Sequence, residues 1–360
     1  LKKITDTSES MFSRLAISML AVFTAFLCGA AIIWISGVNA FHAYSGLFEG
    51  MFGSFDALVD TCVTSTPYIL TGLAVAFGFQ LGLFNIGAEG QFYMGAICSV
   101  VVGFALTEVP AWLHPLICLA AGFAGAFFWG LIPGYLKARL GAHEVINTIM
   151  MNYIAIQFVD YMVKHVIRDP HATVDRTPYI LSTARLPKLF GPDFRIHAGF
   201  IIALLAVAIV SWVLYRTVFG FSIRTIGANP DAARYAGFRV ERNTALVLAV
   251  SGGLAGLAGA VEVLGLEHTL PAAFTSGYGY DAIAIAFLAR ANPIGVVPAA
   301  FLWGGLRNGA GLMQVRAGIS TDMVNVLLAL VIVFIAADPL VRRLCRLKSV
   351  SLRLHGWRNK

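Results

Sequence analysis

The chain has 360 residues, of which 58% are hydrophobic and only 12% charged, with a mean hydropathy of +0.77 and a formal net charge of +7. A soluble domain carries about 25% charged residues, so this composition excludes an ordinary soluble domain. The basic residues cluster beside apolar segments, a placement that sets orientation in a membrane and does not suggest nucleic acid as a partner.

In chain order, the first apolar segment is 15–36, 22 residues without a charge. A membrane helix needs roughly 20 apolar residues at about 1.5 Å each. Segments of this length favour helices over barrel strands. The first one exceeds the ~7–15-residue apolar core of a signal peptide and has no small-residue cleavage site, so it reads as a retained span. Further spans are expected at 57–79, 89–107, 112–136, 146–163, 198–215, 244–265 and 322–340. Region 281–311 is ambiguous: "DAIAIAFLA" is followed by Arg290-Ala-Asn-Pro293 and then a longer apolar piece.

Charge sets the orientation. Lys2, Lys3 and Arg14 precede the first span, and the tail 341–360 carries Arg342, Arg343, Arg346, Lys348, Arg353, Arg358 and Lys360. Both termini are therefore expected on the cytoplasmic side, which requires an even number of crossings. The expected fold class is all-α: a polytopic bundle of about ten spans across 15–340, with 281–311 supplying two short ones. Segments 137–145 and 219–243 then lie inside. Loop 164–197 lies outside despite six basic residues, and its prolines predict an extended, partly ordered course.

Three details inside the apolar regions stand out. "LFNIGAEGQ" (83–91) places Asn85, Glu89 and Gln91 directly after 22 uncharged residues. Irregular backbone at membrane depth is tolerated only against protein or a watery cavity, and an intramembrane acid is a functional candidate. The carboxylate either pins a broken helix, complementing a positive helix end, or faces a passage. Gly252, Gly253, Gly256 and Gly259 lie within a span with no lysine, which indicates close helix packing and not phosphate binding. The cysteines, Cys28, Cys62, Cys98, Cys118 and Cys345, form no C-x-x-C pair and read as small packing side chains.

Segment 222–243, "SIRTIGANPDAARYAGFRVERN", carries its own helix signals. Asn229 suits an N-cap, Pro230 the first turn and Asp231 the positive end. Ala232, Ala233 and Arg234 favour helix, and Gly237 is a natural stop. The arginines around it fit a cytoplasmic face.

With "LTGLAVAFGFQLGLFNIGAEGQFYMGA", "HEVINTIMMNYIA", "IRTIGANPDAARYAGFRVER", "SGGLAGLAGAVEVLG" and "GYGYDAIAIAFLARANPIGVVPAAFLWGGLRNGA" in order between 57 and 340, the chain resembles the permeases of bacterial ATP-binding-cassette importers. The matching superfamily handles branched-chain amino acids, ribose and related sugars, and the nucleoside and simple-sugar branch fits best. The resemblance implies a multi-pass protein of the bacterial cytoplasmic membrane. It implies a separate P-loop ATPase carrying ATP and Mg, a second identical or related permease subunit, and an extracytoplasmic binding protein that delivers the small-molecule cargo. It makes Gly227, Asn229, Pro230, Asp231, Ala232, Ala233, Arg234 and Gly237 the ATPase-coupling element. It places Asn85, Glu89 and Gln91 along the translocation path. Asn147, Asn152 and Tyr153 on the fifth span, and Asp281, are further polar candidates, with helix–helix bonding as the alternative for each. His143 and Glu144, at the inner edge of that span, would support the ATPase surface.

The chain has no G-x-x-x-x-G-K-[ST], H-E-x-x-H or G-x-S-x-G motif and no paired-cysteine metal site, so neither ATP in the P-loop manner nor a cofactor is expected on it. The rival reading is an ion- or proton-coupled secondary transporter, a class that also uses broken helices. A capped, arginine-flanked cytoplasmic element is what such a carrier does not need. A passive channel would conduct without any partner.

Overall fold

The structure, a computed structural model, describes residues 11–272, 274, 277–320 and 322–336. Among them are thirteen α-helices and no strand: α1 (Met11–Ile35), α2 (Ala40–Phe52), α3 (Phe55–Leu81), α4 (Ala88–Ala105), α5 (His114–Leu140), α6 (Glu144–Tyr161), α7 (Gly199–Arg216), α8 (Val218–Ala228), α9 (Pro230–Tyr235), α10 (Val240–Glu262), α11 (Tyr278–Leu288), α12 (Pro293–Ala317) and α13 (Asp322–Ala336). Single π-helical turns extend α6 over Met162–Val166 and α10 over Val263–Glu267. Five of the described helical segments are long and apolar enough to cross a membrane: α3, α4, α5, α7 and α10 with its π turn. The chain is thus a helical, multi-pass membrane protein. The basic tail and most of the segment before the first span lie outside the described residues.

The centre of the bundle is a tight packing of α4, α5 and α10. A Cβ on Gly256 would collide with Ala126 of α5, one on Gly95 with the Gly256 backbone, and one on Gly259 with the Phe92 carbonyl. The glycine run thus does what the sequence predicts: it lets backbones approach where lipid offers no hydrophobic drive to pack. α3 holds Pro67 without breaking. Around it the hydroxyls of Thr64, Ser65, Thr66 and Thr71 bond carbonyls four residues back, at 2.6–2.9 Å, the polar compensation that tolerates proline in a membrane helix.

The 27 residues of α3 span about 40 Å at 1.5 Å each and relate the two long connections. Near its start, Phe55 packs edge-on against Phe190 and Phe194, and Asp60 lies 3.9 Å from Arg195. At its end, Gly227 sits against the Gln80 backbone so closely that a Cβ would not fit. Segments 164–197 and 219–243 therefore occupy opposite ends of the bundle. The first is zipped to 264–272 by Thr177 N to Leu270 O, Ile180 N to His268 O and Leu186 N to Leu264 O, each 3.0 Å. Its Ile180, Ala184, Leu186 and Ile196 are buried, so it is an ordered cover.

Three expectations change. Helix α2 was not expected; it packs along α12, with a Cβ on Gly309 colliding with the Leu47 carbonyl. Segment 219–243 is not mainly loop: α8 occupies its first half, with Gly220, Ser222, Ile223 and Ile226 buried, and α10 begins already at Val240. α2 and α8 are short and one-sided, without the long apolar run that marks a span. Region 281–311, expected to supply two short spans, holds the short α11 and a 25-residue α12, joined by a turn in which Arg290 and Ala291 both take positive φ, 51° and 56°.

Candidate functional site

The break after α3 begins at Gly82, whose φ of 84° ends the helix in the left-handed conformation, the backbone state glycine adopts without penalty. Residues 83–87 then run back along the bundle before α4 starts. Asn85 is fully buried. Its Oδ1 accepts from Gly87 N at 3.0 Å, and its Nδ2 donates to Gln91 Oε1 and to Ser251 Oγ of α10, both at 2.8 Å. Ser251 passes the chain to Ala74 O of α3 at 2.6 Å. α4 has no cap of its own because Gly87 has no side chain. Asn152 of α6 supplies one: its Oδ1 accepts from Gly90 N and its Nδ2 donates to Ile86 O, both at 2.8 Å.

Glu89, 2% exposed, lies in the first turn of α4. Its two carboxylate oxygens accept from Gly277 N at 2.9 Å and Gly279 N at 2.7 Å, at the start of α11. Each helix N-terminus carries roughly +0.5 of an elementary charge. Two of them converge here, and one carboxylate balances them. α11 begins beside the middle of α3, because Tyr68 Oη donates to Asp281 Oδ2 at 2.9 Å. α11 is therefore a half-helix that starts inside the bundle.

Asp281 is also paired with Arg307 of α12, Nη2 to Oδ2 at 2.9 Å. Beside this pair an aromatic stack runs from Tyr68 through Tyr278 to Phe92 and Phe274, with ring centroids 4.8, 5.4 and 5.7 Å apart. Tyr278 Oη donates to Glu262 at 3.4 Å, an acid 6% exposed within α10. A cavity of about 430 Å³ opens at Arg307, lined by Thr64, Asn308, Gly311 and Asn325 among others.

The sequence candidates therefore separate. Asn85, Glu89, Gln91 and Asn152 come together around the break, and Asp281 sits in a second cluster. Asn147 joins neither; its Nδ2 is buried without a described partner. Tyr153 is 59% exposed, and Glu144 pairs with Lys137 at 2.8 Å. Arg307, Tyr68 and Glu262 were not anticipated. A charged residue inside an apolar helix was the available signal for Glu262 and Arg307.

At the opposite end from 164–197, α9 is capped as its sequence suggests. Asn229 Oδ1 accepts from Asp231 N and Ala232 N, each at 3.0 Å, and Gly237 takes φ 85°. Arg234 Nη2 donates to Glu241 Oε1 at 2.8 Å and lies 3.5 Å from Asp231. Within α9, Ala233 is buried, while Tyr235, 95% exposed, projects outward. Below α9, Gly227 meets the end of α3, and Gln80 Nε2 donates to Ala291 O of the α11–α12 turn at 2.6 Å.

A bundle with interrupted helices whose N-termini meet in its interior is the architecture of a membrane transporter. Residues 57–336 match the family described as "Branched-chain amino acid transport system / permease component", and the chain belongs to it. It is 41% identical over 336 residues to the guanosine ABC transporter permease protein NupP of Bacillus subtilis, covering 92% of this chain and 95% of that protein. It is 35% identical to the nucleoside ABC transporter permease protein NupB of Lactococcus lactis, over 91% and 92% of the two chains. With the glucose ABC transporter permease protein TsgB13 of Haloferax volcanii it shares 32% identity over 90% and 88%. The chain is a permease subunit of an ABC transporter, and the family and branch suggested by its motifs are borne out.

Proposed function

We propose that this subunit imports a nucleoside, with a simple sugar as the second class of cargo, delivered by an extracytoplasmic binding protein and driven by a separate ATPase subunit that holds ATP and Mg. A second permease subunit, identical or related, completes the pathway. The chain crosses a bacterial cytoplasmic membrane about ten times, with both termini inside, so that α9 faces the cytoplasm. The guanosine and nucleoside relatives support the first cargo class, and the glucose relative supports the second.

The observation that carries the reading is α9: a helix of only six residues, capped at both ends, seated through α8 on α3 and presenting an exposed tyrosine. A connection alone needs no such rigidity. Exposed aromatic residues on a rigid support are good anchors for a protein partner. Asn85, Glu89, Gln91 and Asn152 act as a frame that fixes the break, and Asp281 faces the pathway.

The test is affinity purification in mild detergent, with mass spectrometry and an ATPase assay on the eluate. A P-loop ATPase is expected in the eluate, and it should be lost with Tyr235→Asp or Arg234→Glu while the permease stays monodisperse. A clean permease without ATPase that still transports under an ion gradient would overturn the importer reading.

A further inference from the structure

A polar cavity opens at Arg307, beside the start of α11. Charged side chains are costly in a bilayer and face protein or water when they occur. Arg307 nonetheless remains 38% exposed and Asp281 20%, near the middle of α3. On α12, Arg307, Gly311 and Gln314 are exposed at i, i+4 and i+7, one stripe of a helix. Asp322, Asn325 and Ala329 are exposed in a matching stripe on α13. On α3, Asp60, Thr64 and Tyr68 follow at i, i+4 and i+8, leading from the 164–197 end to the Asp281 pair. Thr64 of α3, Arg307, Asn308 and Gly311 of α12 and Asn325 of α13 line one cavity, which opens beside the Asp281–Arg307 pair.

The bonding pattern defines what fits. Among the described residues Arg307 donates only from Nη2, to Asp281, so the other guanidinium N–H groups are available. Asn308 uses its amide nitrogen on Gly50 O, Ala57 O and Thr61 Oγ1, which leaves its carbonyl oxygen as an acceptor. Asn325 offers both kinds of group. The Arg307–Asp281 pair is neutral overall, so a phosphate or carboxylate that approached the arginine would also meet the aspartate. We infer that Arg307, Asp281, Asn308, Asn325 and Thr64 contact an uncharged, polyhydroxylated cargo, the sugar of a nucleoside or a free sugar, and reject anions. The volume of about 430 Å³ falls in the range of roughly 300–1,000 Å³ usual for small-molecule sites.

This inference rests on the importer reading, and its test separates the two. Uptake of radiolabelled guanosine and glucose is measured in cells carrying the full transporter, alongside co-purified ATPase. Arg307→Gln and Asp281→Asn are expected to reduce uptake at least tenfold while the ATPase still co-purifies. Because these two also support α11 against α3, a second measurement uses Asn325→Cys, labelled by a membrane-permeant thiol reagent above the background of the native cysteines. Guanosine or glucose is expected to slow that labelling at least threefold, and guanosine monophosphate to leave it unchanged. Labelling indifferent to every cargo, or wild-type uptake in the Arg307 and Asp281 variants with the ATPase bound, overturns the site. Loss of the ATPase from the wild type overturns the importer reading instead.

Discussion

A single carboxylate decides how the interior of this permease is held. Glu89 satisfies two backbone N–H groups at the start of α11 and sits in the first turn of α4. Glu89→Gln keeps the shape but offers one acceptor for two donors and sets an amide N–H₂ against a backbone N–H. Leaving a buried donor unsatisfied costs about 1–3 kcal/mol, so the melting temperature in detergent is expected to fall by several degrees. Cargo affinity of the protein that remains folded should change little. Unchanged stability with uptake abolished would instead put Glu89 on the path. The sequence made Glu89 conspicuous but left its role open, because the partners that define it lie nearly 190 positions away. Arg307 was less conspicuous still: its pairing with Asp281 follows from a half-helix starting beside the middle of α3, which no local pattern announces. Chemistry at the covered end is equally local. His197 is 2% exposed, with Nδ1 accepting from Gly199 N at 3.1 Å. Burial, reinforced by nearby His268, lowers its pKa from 6.5 to about 4. Between those values the unfolded loop binds a proton that the folded one excludes, so stability is complete above about pH 6.5 and is lost as pH falls toward 4. At 1.36 kcal/mol per pH unit the loss approaches roughly 3 kcal/mol. Amide protection factors of 186–199, corrected for the intrinsic fall of exchange with pH, are expected to drop over this window in wild type but not in His197→Phe.

At the level of elements, the glycines of α10 set the distance between helices. Gly256→Val would drive two methyl groups into Ala126 and the Gly122 carbonyl. Overpacking of a tight interior typically costs about 1–3 kcal/mol, and here backbone carbonyls are among the obstacles. The monodisperse peak in fluorescence-detected chromatography should shrink several-fold, whereas Gly311→Ala, with open space around it, leaves it intact. This packing was legible because small residues at short intervals in an uncharged run have few other uses. The spans were legible for a related reason, length, and their ends less so. α5 runs to Leu140, where Lys137 and Arg139 in its last turn complement the negative helix end; a reading that stops spans at the first charge ends it too early. α2 and α8 escaped because a one-sided helix looks irregular in a window tuned to continuous apolar sequence.

For the molecule as a whole, the two clusters and α9 are connected by contacts that can be followed atom by atom. α9 continues from α8, Gly227 of α8 rests on the end of α3, and Gln80 at that end grips Ala291 in the α11–α12 turn. That turn joins the helix carrying Asp281 to the helix carrying Arg307. A displacement of α9 by an ATPase would therefore reach both members of the polar pair through the Gln80–Ala291 bond, in addition to the direct bond from Tyr68 of α3 to Asp281. The positive φ at Arg290 and Ala291 holds the turn in a conformation that few non-glycine residues adopt, which suits a joint with little slack. Gln80→Leu keeps the bulk of the side chain and removes the donor. A hydrogen bond of this kind contributes about 1 kcal/mol, so cargo moved per ATP hydrolysed is expected to fall about fivefold in proteoliposomes with ATPase association unchanged. Gln80→Glu, which sets a carboxylate against the Ala291 carbonyl, should lower the ratio further. If both variants transport at the wild-type ratio, the force passes from α9 to the interior by another route, and the α11–α12 turn is only a connection between two helices.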